Sequence, residues 1–288
     1  MPLQRGLEGR FPAYYICLLG LLVQEADRST SRRVRPALVA SSVSSQGRYV
    51  SMFDQFHQTA AAIFDAAQKE GRLTRNPDTD QLRAFSMDEP VVRQTKYGSI
   101  VAESEPMSRA AMLTRNNVDS EFGEEDRQLL KEAEQRLSRE ELVSIDVQVG
   151  DGSEVVTARL IVPKRFAHVA YGGRKLFAPT TTDDPTYQVV MFFDDEFEGN
   201  KNKTLPKKSI TIRLAYSPEG KLVKIARNTN YFGEWKKGVF AGEDYRVKQS
   251  GNAVFLHAGC RKDTLETAHG PFMSSFSLIS LFMRFSAS

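Results

Sequence analysis

The chain has 288 residues, 41% of them hydrophobic, enough for one large or two ordinary domains with a substantial core. Lysine and arginine number 39 against 36 aspartates and glutamates, so net charge alone creates no field that would recruit nucleic acid or an anionic membrane. The two cysteines, Cys17 and Cys260, form neither a CxxC metal pair nor a disulfide framework, which points to a reducing, cytoplasmic setting.

The first apolar run, Phe11 to Val23 behind Arg5 and Arg10, has the length of a signal-peptide core but is too short for a membrane span. It contains Pro12, Tyr14 and Tyr15, and Gln24-Glu25-Ala26-Asp27-Arg28 follows it in place of a small-residue cleavage site, so secretion is not the reading adopted. Residues 24–50 carry Arg28, Arg32, Arg33 and Arg35 without a sustained period of 2 or 3.6, and residues 1–51 are expected to form a disordered, solvated basic extension. Contact of this arm with RNA is the weaker reading; it would fade steeply with salt.

Helical spacing begins at Met52, itself a candidate start, with Phe53, Phe56, Ala60, Ile63 and Phe64 on one face of a stretch that ends near Gly71. A polar stretch from Asn76 to Pro90 leads into the folded domain, and Val91 to Ala102 is predicted as extended chain broken at Gly98. The clearest helix is Glu124 to Leu137, with Glu124, Glu125 and Asp126 in its first turn, Arg136 near its end, and Leu130, Ala133 and Leu137 on one face. Val143, Ile145, Val147 and Val149 then alternate with polar residues, Gly150-Asp151-Gly152 turns the chain, and Val155 to Val162 returns as a β-hairpin. A second hairpin is predicted from Ile210 to Tyr216 and Leu222 to Ala226 around Ser217-Pro218-Glu219-Gly220, with Tyr187 to Phe193 a buried strand between the two. These elements imply a mixed α/β fold, a mixed sheet carrying helices with a cleft at one sheet edge.

Three stretches are hard to explain by packing. In Tyr231-Phe232-Gly233-Glu234-Trp235-Lys236-Lys237-Gly238-Val239-Phe240, glycines permit close approach while Lys236 and Lys237 offer cations to a carboxylate or phosphate; otherwise the stretch is a solvated strand end. Ala253 to Cys260 is an apolar strand that delivers His257 to a small-residue turn. Met107 to Arg115 contains Arg109 and Arg115, either able to clamp a carboxylate bidentately. His57 and His168 are expected on helical or loop surfaces, and Asn202-Lys203-Thr204 is a glycosylation pattern that matters only in a secreted chain.

The Tyr231 to Phe240 stretch resembles the tyrosine-x-glycine-glutamate-x-lysine-lysine-glycine motif of ATP-utilising phosphoenolpyruvate carboxykinases. Arg159 to Pro179, Asp184 to Phe197 and Leu256 to Cys260 resemble further segments of that family in the same order, so the likeness runs from about Met107 to Gly270. It implies that Tyr231 and Arg109 contact oxaloacetate or phosphoenolpyruvate, that Lys237 and His257 ligate Mn2+, and that Lys236 lies beside them. Mg2+ and ATP complete the family's reaction. Decarboxylation of oxaloacetate releases CO2 and leaves an enolate, whose oxygen takes the γ-phosphoryl group of ATP.

No GxxxxGK[ST] loop occurs in the sequence, and Leu281 to Ser288 stands where the resemblance would put one. The expectation is therefore a family-like substrate-side domain over residues 52–247 and an incomplete start of a nucleotide-binding domain over 248–288, inactive alone unless a separate chain supplies the nucleotide domain. The alternative is a non-catalytic binder of a small anionic metabolite. Neither reading gives the chain a nucleic-acid or membrane partner.

Overall fold

The computed structural model describes residues 51–104, 113–150, 155–197, 210–251, 255, 259–267 and 270–278. Most of the basic extension, Arg109, the Asn202 pattern, His257 and residues 281–288 lie outside the described residues, as does the expected strand over Ala253 to Ala258 apart from Phe255.

Helix α1 (Met52–Lys69) starts where the apolar period starts. Ser51 Oγ accepts from the Asp54 amide and the Asp54 carboxylate accepts from the Ser51 amide, a reciprocal cap that satisfies orphan donors of the first turn. Strand β1 (Leu73–Arg75) follows, and then the polar stretch holds a helix that its composition concealed, α2 (Thr79–Met87). Its start is signalled by another reciprocal cap, Asp78 with Gln81, and its inner face is Leu82 and Ser86. Strands β2 (Val92–Gln94) and β3 (Ile100–Ala102) form a small hairpin whose turn has Gly98 at φ 83°.

The central sheet has eight strands, completed by β4 (Thr114–Asn116), β5 (Leu142–Val149), β6 (Val156–Pro163), β7 (Ala178–Pro179), β8 (Tyr187–Phe192), β9 (Thr211–Tyr216) and β10 (Leu222–Arg227). Their order is β1-β5-β6-β8-β10-β9-β4, with β7 on the side of β5. Both expected hairpins are present: β5 pairs antiparallel with β6, placing Ile145 opposite Leu160, and β9 pairs antiparallel with β10. The pairs β1–β5, β6–β8, β8–β10 and β4–β9 are parallel, which makes the sheet mixed.

Helix α3 (Glu124–Leu137) packs with α1 on one face of the sheet, while α4 (His168–Leu176) and α5 (Gly233–Ser250) lie on the other. The strands between them are apolar on both sides, as a sheet covered on two faces requires. Along β8, Val189 and Met191 enter the core under α4 and α5, while Val190 and Phe192 enter the core under α1 and α3. Polar anchors fix the edges: Asp146, fully buried on β5, accepts from Arg159 at 2.7 Å and from Arg75 at 3.0 Å, and Arg213 ties β9 to Asp126 in the first turn of α3. A final pair, β11 (Gly259–Thr267) and β12 (Gly270–Leu278), forms its own two-stranded sheet. Among the described residues no helix is long and apolar enough to cross a membrane.

Candidate functional site

The chain leaves β10 through three buried polar residues, Asn228, Thr229 and Asn230, each with no exposed surface. Asn228 sits at φ 56°, a left-handed conformation that asparagine tolerates better than most residues. Its side-chain amide exchanges hydrogen bonds with Asp194: Nδ2 donates to Oδ2 at 2.7 Å and Oδ1 accepts from the Asp194 amide at 2.8 Å. Arg227 clamps the same carboxylate. The backbone that delivers Tyr231 is therefore locked to the end of β8.

Tyr231 leads directly into α5, and the motif becomes readable residue by residue. A Cβ on Gly233 would fall inside the Tyr231 ring, so glycine lets the ring fold back over the helix start. Lys237, one turn on, places its ammonium 5.3 Å from the centre of that ring. Lys236 projects beside it, 5.4 Å from the Phe240 ring, and Gly238 brings α5 against Val189 and the Lys224 stem. The stretch is thus the first two turns of a helix, not a solvated strand end.

Glu234 holds this arrangement from below. Its Oε2 accepts from Lys224 Nζ at 2.7 Å, its Oε1 from Lys237 Nζ at 2.6 Å, and its main-chain oxygen from Lys224 Nζ at 2.9 Å. Lys224 and Glu234 are almost completely buried, whereas the Lys237 side chain is about half exposed. Burial works to raise the Glu234 carboxyl, but the two ammonium groups outweigh it and hold the carboxyl below its usual range. Burial pushes the Lys224 ammonium down and Glu234 pulls against it, and Lys224 still reaches Glu234 Oε2 if Lys237 turns away.

Tyr231 and Phe232 also form part of the wall of a cleft of about 610 Å³ between α2, α4 and the β2–β3 hairpin. His168, at the start of α4, lines it. The expectation that His168 lies on a surface is corrected here, because the residue is 5% exposed. Its Nε2 faces the Asn230 carbonyl at 2.8 Å, its Nδ1 the Glu89 carboxyl at 2.5 Å, and its backbone amide donates to Glu89 at 2.7 Å. A carbonyl only accepts, so Nε2 carries a hydrogen. Burial pushes the Glu89 carboxyl up against the opposing pull of His168.

The structure therefore brings Tyr231 and Lys237 together at one helix start, while Lys236, adjacent in the chain, lies against Phe240. Arg109 and His257 are outside the described residues, and Arg115, on β4, donates to the Glu121 carbonyl, away from the cleft. Sequence reasoning missed Lys224, although a lone lysine inside the apolar run Leu222 to Ala226 is a signal of a buried ion pair. It also missed Arg83, Tyr171 and Lys175, which gave no local signal. Among the described residues no group of three or more histidine, cysteine, aspartate or glutamate side chains could hold a metal ion. No family model matches the chain, and no curated protein matches it.

Proposed function

We propose that the chain is the substrate-holding part of an ATP-utilising phosphoenolpyruvate carboxykinase acting in the cytoplasm, and that it binds oxaloacetate or phosphoenolpyruvate at the start of α5. The observation that carries this reading is the Tyr231 ring lying between Gly233 and the Lys237 ammonium, with Lys237 aimed by the buried Lys224–Glu234 pair. Tyr231 contacts the substrate, and Lys236 and Lys237 offset its negative charge. Arg109 would grip a carboxylate.

Lys237 suits a metal-ligand role, because its departure from Glu234 leaves that carboxylate paired with Lys224. A dication beside the amine would favour its neutral, ligating form, and His257 would be the second protein donor. Mn2+ there would supply Lewis-acid neutralisation, with Mg2+ accompanying ATP as the phosphoryl donor. These residues are assigned anion holding, and phosphoryl transfer would call on a phosphate-binding loop in addition to them.

Titration calorimetry with phosphoenolpyruvate, with and without Mn2+, tests the proposal. Binding should strengthen with Mn2+ and weaken about tenfold or more in Lys237→Met, the loss of a close charge–anion contact. Equal affinity in wild type and variant refutes the site. The cleft beside Tyr231 favours a second reading, a metabolite-binding protein without turnover, and binding indifferent to Mn2+ would select it.

A further inference from the structure

The cleft between α2, α4 and the β2–β3 hairpin has a chemistry of its own. Arg83 enters it from α2, with Nη2 anchored on the Gly98 carbonyl at 3.0 Å. Lys175 enters from the last turn of α4, its ammonium 4.6 Å from the Tyr171 ring. Among the described residues neither cation is paired with a carboxylate and no aspartate or glutamate lines the cleft. Arg75, Arg159, Arg213, Lys221, Lys224 and Arg227 all meet a carboxylate at close range.

What the two cations meet is the Tyr171 phenol, which both hold below its ordinary proton affinity, Lys175 foremost. An uncharged oxygen thus marks the place where an anionic oxygen would satisfy both. Ser99 and Ser104 add hydroxyl groups to the lining, and Tyr97 and Phe232 add flat apolar walls. At about 610 Å³ the space is far larger than an inorganic oxyanion needs and lies within the range of small organic ligands.

We infer that this cleft binds an organic dianion, best matched by a phosphate monoester carrying a planar group, with Arg83 and Lys175 taking the charge and the aromatic walls the ring. Arg83 supplies a planar fork suited to two oxygens of one group, and Lys175 supplies a mobile point charge. The cleft shares Tyr231 with the proposed phosphoenolpyruvate site, but the charges assigned here are Arg83 and Lys175, and Lys236 and Lys237 are not among the described lining residues.

Calorimetric titration of the full chain with phenyl phosphate, phthalate and inorganic phosphate tests it. One of the two organic dianions should bind about tenfold or more tighter than inorganic phosphate, and the tighter of them names the ligand class. Arg83→Gln combined with Lys175→Gln should weaken that binding about 30-fold or more, while thermal unfolding verifies that the variant is folded. Lys131→Gln combined with Lys248→Gln removes the same charge from exposed positions elsewhere and should leave binding unchanged. Failure of both organic dianions to bind, inorganic phosphate binding equally well, or the Arg83/Lys175 variant binding like wild type overturns the inference.

Discussion

Replacing Lys224 by methionine keeps the volume of the side chain and deletes its charge. In the native arrangement Lys224 Nζ gives two hydrogen bonds, at 2.7 Å to Glu234 Oε2 and 2.9 Å to the Glu234 carbonyl, inside a site where both side chains are at most 3% exposed. Removing one member of such a pair strands a buried charge at a typical cost of about 3–5 kcal/mol. Because Lys237 still reaches Glu234 Oε1 from the surface, the low end applies, about 3 kcal/mol. At roughly 2–4 °C per kcal/mol for a domain of this size, the melting temperature should fall by about 6–12 °C. Replacing both residues, Lys224→Met with Glu234→Met, removes the stranded charge together with its partner and should return stability to within about 1 kcal/mol of wild type. Differential scanning calorimetry of the single and double variants measures the coupling directly. A single variant that melts with the wild type, or a double variant that loses as much as the sum of its parts, would refute the buried ion pair as the element that fixes Lys237. In the double variant the phosphoenolpyruvate affinity proposed for this site should still drop, because Lys237 has lost its anchor.

Other expectations follow from the same geometry. Burial works to raise the Asp146 carboxyl, but Arg159 and Arg75 outweigh it and hold the group below its usual range. A carboxyl with a depressed folded-state value contributes stability above the ordinary carboxylate range and loses it as pH falls through the folded value, so Asp146→Asn should cost about 3–5 kcal/mol at pH 7 and flatten the acid limb of a pH–stability curve below about pH 4. Gly242→Ala would gain up to about 1 kcal/mol of helix propensity, yet its Cβ would lie 2.6 Å from the Tyr187 ring. Overpacking of about 1–3 kcal/mol should prevail, and a urea midpoint above that of wild type would show that the helix can shift. His168→Leu strips a donor from the Asn230 carbonyl, a loss of about 1–3 kcal/mol in urea unfolding, and should weaken phosphoenolpyruvate binding through the turn that carries Tyr231; unchanged binding would detach His168 from the site.

Elements whose buried face is apolar were legible in the sequence. The α1 and α3 stripes, both hairpins and the β8 strand all announce themselves by period, because burial of those faces is what forms them. Helix α5 did not, for its buried positions are Gly233, Glu234, Trp235, Gly238, Val239, Gly242 and Glu243. Glycine reads as a helix breaker and glutamate as solvent-exposed, yet here the glycines set the approach to the sheet and the glutamates answer Lys224 and Tyr187. Helix α2 was hidden in a polar stretch because only Leu82 and Ser86 are buried. The motif at Tyr231 and Lys237 was visible as a spacing, but its supports were not. Glu89 lies 79 residues from His168 in the chain, and no local pattern connects a pair that only the packing of α4 brings together.

The sharing of β8 between two cores bears on how the molecule comes apart. Its odd-numbered side chains anchor one helical layer and its even-numbered side chains the other. Peeling α1 and α3 from the sheet would hydrate the strands against which α4 and α5 are packed, so neither layer has a private reserve of stability. Amide hydrogens of β6, β8 and β10 should therefore exchange only through opening of the whole sheet, at one common slow rate, and a denaturant titration should show a single transition for both helical layers. The start of α5, mounted on that sheet through Gly238 and Lys224, inherits the same rigidity: its cations are held in place by a lattice that yields all at once.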